Sequence, residues 1–225
     1  MAFRKPTLVP LLFIISATLL LGSLGSWQMM RLQWKNNLNQ MIAEGQALPT
    51  LGNLPEQIDR LVYRNVALTG KFLPQHELHV VGKIQGAENG FFIYAPFELD
   101  DDGRVILVNR GFAPKGSNYA TTGDTQTVQG VLRPARDKRL FLPDNQVEKN
   151  VWFYEDLEQI SQLVGKPLIP LVIEATGKHE ANVFPIPRDS LIQLRNDHLH
   201  YAITWYSLMI IGLIMFAIYH RVPRP

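Results

Sequence analysis

The stretch Arg195-Asn196-Asp197-His198-Leu199-His200-Tyr201-Ala202-Ile203-Thr204-Trp205 is the part of this chain best supplied with groups that can do chemistry. Helical spacing puts His198, Tyr201 and Trp205, at i, i+3 and i+7, on one face and turns His200 elsewhere. A neutral imidazole at the edge of an apolar layer, backed by aromatic rings, can ligate a haem iron axially. Guanidinium pairs with carboxylate, so Arg195 and Arg31 can take the propionates of such a group. The same residues also make a plain interfacial belt, in which Tyr and Trp anchor a helix while His and Arg stay wet. On physical grounds alone the belt is the stronger reading.

Other chemical signals fail on spacing. His76-Glu77-Leu78-His79 has two residues between its histidines, where a zinc-protease signature has three. It falls on a predicted strand, whose i and i+3 side chains take opposite faces. Asp100-Asp101-Asp102-Gly103 lacks the alternating spacing of a calcium loop and reads as a hairpin turn. There is no nucleophile elbow, phosphate loop or dinucleotide fingerprint. The 225 residues contain no cysteine, which excludes a disulfide framework, a thiolate metal site and a thiol relay. A net charge of +2 with no basic run in the middle section leaves no nucleic-acid footprint. Nothing here is the constellation of an enzyme.

Two apolar runs must position these residues. Pro6 to Met30 is uncharged over 25 residues and His198 to His220 over 23, and roughly 20 suffice to cross a bilayer as a helix. The first run competes with a cleaved signal peptide, since Arg4 and Lys5 precede it and Gly22-Ser23-Leu24-Gly25-Ser26 is small. Its length exceeds a signal's apolar core, and the second run exists regardless, so an uncleaved anchor is expected. Both tails are basic, with Arg4 and Lys5 at one end and Arg221 and Arg224 at the other. That predicts cytoplasmic termini and a central domain on the far side. No Arg- and Ser-rich presequence is present, which favours a bacterial inner membrane and a periplasmic domain.

The expected layout is a cytoplasmic tail over 1–7, a first transmembrane helix over 8–30 and a helix extension with linker over 31–60. A β-rich periplasmic domain over 61–195, a second transmembrane helix over 196–219 and a tail over 220–225 follow. Trp27, Arg31 and Trp34 fall at i, i+4 and i+7, so the first helix continues past the membrane surface, stopping near Gly45. Residues 49–57, with their prolines and glycine, read as linker. Strands are predicted over 62–72, 77–82, 90–99, 104–112, 127–134 and 170–176. Val66, Leu68 and Gly70 alternate with polar neighbours, which suggests one buried face. Leu157, Ile160, Leu163 and Val164 recur at helical spacing before Gly165. The fold class is thus two transmembrane α-helices bracketing a mainly antiparallel β domain, a small barrel or sandwich, with one short helix.

Gly25-Ser26-Trp27-Gln28-Met29-Met30-Arg31-Leu32-Gln33-Trp34-Lys35 resembles the G-x-W-Q-x-x-R-x-x-W-K signature of the surfeit-locus family of cytochrome oxidase assembly factors. Asn196 to Trp205 resembles that family's N-x-H-L-x-Y-x-x-T-W motif. Tyr63-Arg64-Asn65-Val66, Val108-Asn109-Arg110-Gly111-Phe112, Gly130-Val131-Leu132-Arg133 and Trp152 with Asp156 fall between them in the family's order. The resemblance implies a non-enzymatic role, the insertion of haem A into subunit I of a haem–copper oxidase. It implies that haem A is carried transiently, with His198 as axial ligand to its iron. Trp27, Arg31, Trp34, Tyr201 and Trp205 stand at motif positions and join the expected pocket, with Arg195 added as the propionate partner read above. Arg110 and Arg133 match the family too, but support of a strand end or turn is the role expected of them. Oxidase subunit I is the implied partner, with haem A synthase, membrane lipid and a second copy of the chain beside it. The sixth iron ligand stays open among water, His200 and a second protomer's His198. The alternative is a structural factor that clamps an oxidase intermediate and never touches haem.

Overall fold

The computed structural model describes residues 2–3, 6–58, 60–82, 89–178, 183–187 and 195–222. The tail cations Arg4, Lys5 and Arg224 lie outside these. In chain order the elements are β1 (Ala2–Phe3), α1 (Leu8–Ala47), β2 (Asn65–Phe72), β3 (Leu78–Gly82), β4 (Gly90–Leu99), β5 (Val105–Pro114) and β6 (Thr125–Pro134). They continue with β7 (Val151–Trp152), α2 (Leu157–Val164), β8 (Leu168–Ala175), α3 (His198–Tyr219) and β9 (Arg221–Val222). The chain divides into two compact units, residues 1–40 with 193–225, and residues 41–192.

In the first unit, α1 and α3 are both long and apolar enough to cross a membrane. The 40 residues of α1 extend about 60 Å, twice the ~30 Å hydrocarbon thickness, so the helix outlasts its apolar part. Without water to drive association, such helices approach through small residues. A Cβ on Gly25 would lie 2.7 Å from Cε1 of Tyr206, and one on Gly22 3.4 Å from Sδ of Met209. Glycine at 25 therefore admits the Tyr206 ring, and Ser26 Oγ lies 3.1 Å from its hydroxyl. Ala202 is buried on the same α3 face. At the opposite end, β1 and β9 pair antiparallel, Ala2 with Val222 and Phe3 with Arg221.

In the second unit, the strand order β2-β6-β8-β5-β4 returns to β2 through Gly70–Phe72 against Phe97–Leu99, which closes a five-stranded barrel. β3 and β7 extend the sheet beyond β4. Every ladder is antiparallel except β5 with β8 and β3 with β7. The period-2 rule sorts each strand's side chains. Ala95, Phe97, Ile106, Val108, Leu132 and Ile173 fill one core. Their alternates Tyr94, Leu107 and Val172 meet Leu78, Val80, Trp152 and Ile160 in a second. Central strands are thus buried on both faces, and α2 seals the outer one with Ile160.

Local signals read from the sequence have their expected causes. Gly103 (φ +71°) turns the β4–β5 hairpin and its N–H donates to Leu99 O at 3.0 Å. α2 starts where Asp156 accepts from the Gln159 N–H at 3.0 Å and stops at Gly165, φ +73°. Helix α1 ends at Ala47, close to the expected stop near Gly45. Two expectations need correction. His76 ends a short 3-10 turn over Pro74–His76 and is not on the strand that carries His79. Residues 49–57 do not hang free. Leu51 bridges Val66, and Leu54 is buried in the barrel core. Two apolar side chains among prolines carry no periodicity, so the packing was invisible beforehand.

Candidate functional site

The site is built where α3 begins. Gly25, Gln28, Leu32 and Lys35 recur at three- and four-residue steps along one face of α1, the face whose Gly25 and Gln28 are buried. Gln28, 9% exposed, places Oε1 2.6 Å from Nδ1 of His198, the first residue of α3. An amide oxygen only accepts, so Nδ1 is the nitrogen that donates to it, and Nε2 is the ring nitrogen that Gln28 leaves unengaged. Asn196 secures the preceding turn, its Nδ2 donating to Asn36 Oδ1 at 2.8 Å and to Leu32 O at 3.3 Å.

Beside His198 lies an open cleft of about 300 Å³ lined by Lys35, Arg195, Asp197, His198 and Tyr201. Lys35 Nζ donates to the Arg195 backbone oxygen at 2.6 Å, and the Arg195 guanidinium pairs with Asp197 at 2.5 Å. Of the residues the sequence nominates, the structure brings His198, Arg195 and Tyr201 together. It does not bring Trp27, Arg31, Trp34 or Trp205 into this lining. Trp27, Arg31 and Trp34 do share a face, but it is the exposed one, about 100° round α1 from Gln28. There the Arg31 guanidinium stacks over the Trp34 ring at 4.4 Å. Trp205 is partly buried on α3 and His200 is exposed.

Sequence reasoning missed Gln28 and Lys35. Both stand in the W-Q-x-x-R-x-x-W-K motif, but polar residues on an apolar helix reveal their use only when the facing helix is in place.

A haem suits this donor set. An imidazole nitrogen can serve as an iron ligand, and a carboxylate could engage Lys35 and Arg195 in exchange for the Arg195 carbonyl and Asp197 that they now hold. The volume is at the small end of ligand sites. Among the described residues no group of three or more His, Cys, Asp or Glu could hold a bare metal ion.

The second unit carries two polar clusters with structural roles. Arg133 donates to both Glu155 oxygens at 2.6 Å and to Glu174 at 2.5 Å. Tyr94 Oη donates to Glu155 at 2.6 Å, and Asn109 Nδ2 to Glu174 at 2.7 Å. Burial pushes the Glu155 carboxyl up, but the Arg133 hydrogen bonds and charge outweigh it and hold the group below the usual carboxylate range. Arg133 itself is penalised by burial, yet its carboxylate partners raise it further above the usual guanidinium value.

In the other cluster, Glu77 accepts from Thr121 and from Tyr119 at 3.2 Å. His79 Nε2 lies 3.2 Å from Glu77 Oε1, and Arg110 donates to the Ala120 carbonyl at 3.1 Å. Burial raises Glu77, and hydrogen bonds from His79, Thr121 and Tyr119 with the Arg110 charge bring it below its ordinary value. Burial and the Glu77 charge push the Tyr119 phenol up to about 12. Arg110 and Arg133 thus pin a loop and a strand end, the support expected of them.

The SURF1 family profile matches residues 15–210. A SURF1-like protein of Rickettsia conorii is 35% identical over 219 residues, covering 93% of this chain and 90% of the relative. The SURF1-like protein of Rickettsia felis is 34% identical, over 94% of this chain and 96% of its own length. Surfeit locus protein 1 of Mus musculus is 32% identical over 88% of this chain and 70% of its own length. With the profile matched over most of its length, and the quoted motifs midway along α1 and at the start of α3, this chain belongs to the SURF1 family.

Proposed function

We propose that the chain is a non-enzymatic assembly factor for a haem–copper terminal oxidase, carrying haem A to oxidase subunit I. The observation that carries this reading is the Gln28–His198 hydrogen bond, which leaves His198 Nε2 bare beside Lys35 and Arg195. His198 binds the iron, Lys35 and Arg195 meet the propionates, and Tyr201 packs on the macrocycle. Arg31, Trp27, Trp34 and Trp205 flank the same helix pair and shape the surface on which the rest of the haem lies. The haem supplies iron for axial ligation. The protein supplies a weak, accessible holding site, because a carrier has to let its cargo go.

In this reading the helices sit in a bacterial inner membrane with both termini cytoplasmic and the barrel periplasmic. Haem A synthase is the upstream partner that hands over the cargo, and a second copy of the chain is a candidate donor of the sixth ligand. The test is an optical spectrum of the protein purified in detergent from cells that make haem A, with His198→Ala and His200→Ala beside it. Near-stoichiometric haem in the wild type and in His200→Ala, with loss in His198→Ala, supports the assignment. A haem-free wild type overturns it and puts in its place a factor that only clamps an oxidase intermediate.

A further inference from the structure

The partner that Gln28 offers His198 is an amide and not a carboxylate, and the choice has a chemical consequence. A carboxylate hydrogen-bonded to the far nitrogen of a ligating imidazole draws its proton away and makes the ring a stronger donor. A neutral amide oxygen fixes the tautomer and the ring plane without that push. The arrangement is closely packed. Gln28 is buried at 9% exposure, and Gly25, one turn earlier on the same face, lets the Tyr206 ring of α3 come close. The close approach of the two helices brings Gln28 Oε1 within 2.6 Å of Nδ1.

Resting on the reading of His198 as a haem ligand, we propose that Gln28 is a positioning residue with two effects. It holds His198 with the proton on Nδ1 and Nε2 facing the cleft, and its neutrality keeps that ligand weak enough to release the cargo. The device separates geometry from strength. A helix-borne glutamine aims the imidazole as firmly as a glutamate could, yet leaves its basicity low.

The test uses the full chain, ¹⁵N-labelled at histidine, in nanodiscs. Without haem, the ring nitrogens of His198, assigned with His198→Ala, are expected to report protonated Nδ1 and bare Nε2. Gln28→Leu is expected to lose that pattern while His220, which bonds the Phe216 carbonyl at 2.9 Å, keeps its own and reports an intact fold. After loading with haemin, transfer to apomyoglobin is timed and the reduction potential recorded. Gln28→Glu is expected to slow release by about 10–100-fold, the usual size of an outer-partner effect, and to lower the potential.

A wild-type His198 protonated on Nε2, or a Gln28→Glu variant that releases haemin at the wild-type rate and potential, overturns the proposal. A wild type with the expected nitrogen pattern that takes up no haemin sinks the haem reading and the release half with it, while the nitrogen shifts establish the positioning half.

Discussion

Arg133 and Glu155 meet through two parallel hydrogen bonds, each 2.6 Å long, from the two terminal nitrogens to the two carboxylate oxygens. Both side chains are buried, with 7% and 2% of their surface exposed. Removing one member leaves an uncompensated buried charge on the outer face of the barrel, beside Tyr94. Arg133→Ala is therefore expected to destabilise the domain by about 3–5 kcal/mol, read as a lower denaturation midpoint of the detergent-solubilised chain. A loss under about 1 kcal/mol, the size of an exposed pair, would show that the network is hydrated.

The carboxyls of Glu155 and Glu77 both titrate lower in the folded chain than in the unfolded one. The stability they contribute is complete above about pH 4.3, the unfolded glutamate value. It drains away as pH falls through their folded values. Denaturant midpoints are expected to be flat from neutral pH to about 5 and to drop steeply below. Glu77→Gln, which removes one of the two protonation sites, is expected to make the drop shallower, and an unchanged slope would acquit Glu77.

Two glycines of the helix pair make opposite predictions. A Cβ at Gly25 collides with the Tyr206 ring, whereas one at Gly212 lies 3.8 Å from Ile14 Cδ1, an ordinary contact. Gly25→Ala is expected to cost about 1–3 kcal/mol through overpacking. Gly212→Ala is expected to be neutral or to stabilise by up to about 1 kcal/mol through helix propensity. Thermal unfolding of both variants in one detergent checks the contrast, and equal effects would refute the contact.

Phe141 combines φ +71° with a side chain that is 99% exposed. A bulky residue there is strained by roughly 1–2 kcal/mol, and no buried contact offsets it. Phe141→Gly is expected to raise stability by about 0.5 kcal/mol once the glycine's greater unfolded freedom is subtracted. Phe141→Val is expected to lower it. A destabilising Phe141→Gly, measured by urea titration, would mean that the ring has a partner.

The readable parts of the fold are those governed by local rules. Val66, Leu68 and Gly70 alternate, Ile160 recurs at helical spacing, and Asp102-Gly103 marks a turn, so β2, α2 and the β4–β5 hairpin were predictable. The parallel match of β5 with β8 is not local, since Val108 meets Ile173 across 65 residues. β7 is two residues long, too short for any periodicity. At the site, His198 stood out because histidine at the edge of an apolar run is chemically conspicuous. Gln28 did not, because its meaning lies in a hydrogen bond to a residue 170 positions away.

Closure of the barrel through Gly70–Phe72 and Phe97–Leu99 has a consequence for company. Among the described residues each of the five strands in that ring pairs with a strand on either flank, and β3 and β7 extend the sheet beyond β4. An exposed edge is what lets one sheet recruit a foreign strand. A domain folded in this way offers visitors side chains and little else. Any recognition by this domain would rest on residue identity on its outer surface, and the ring is poorly suited to capturing unfolded segments by adding them to its sheet.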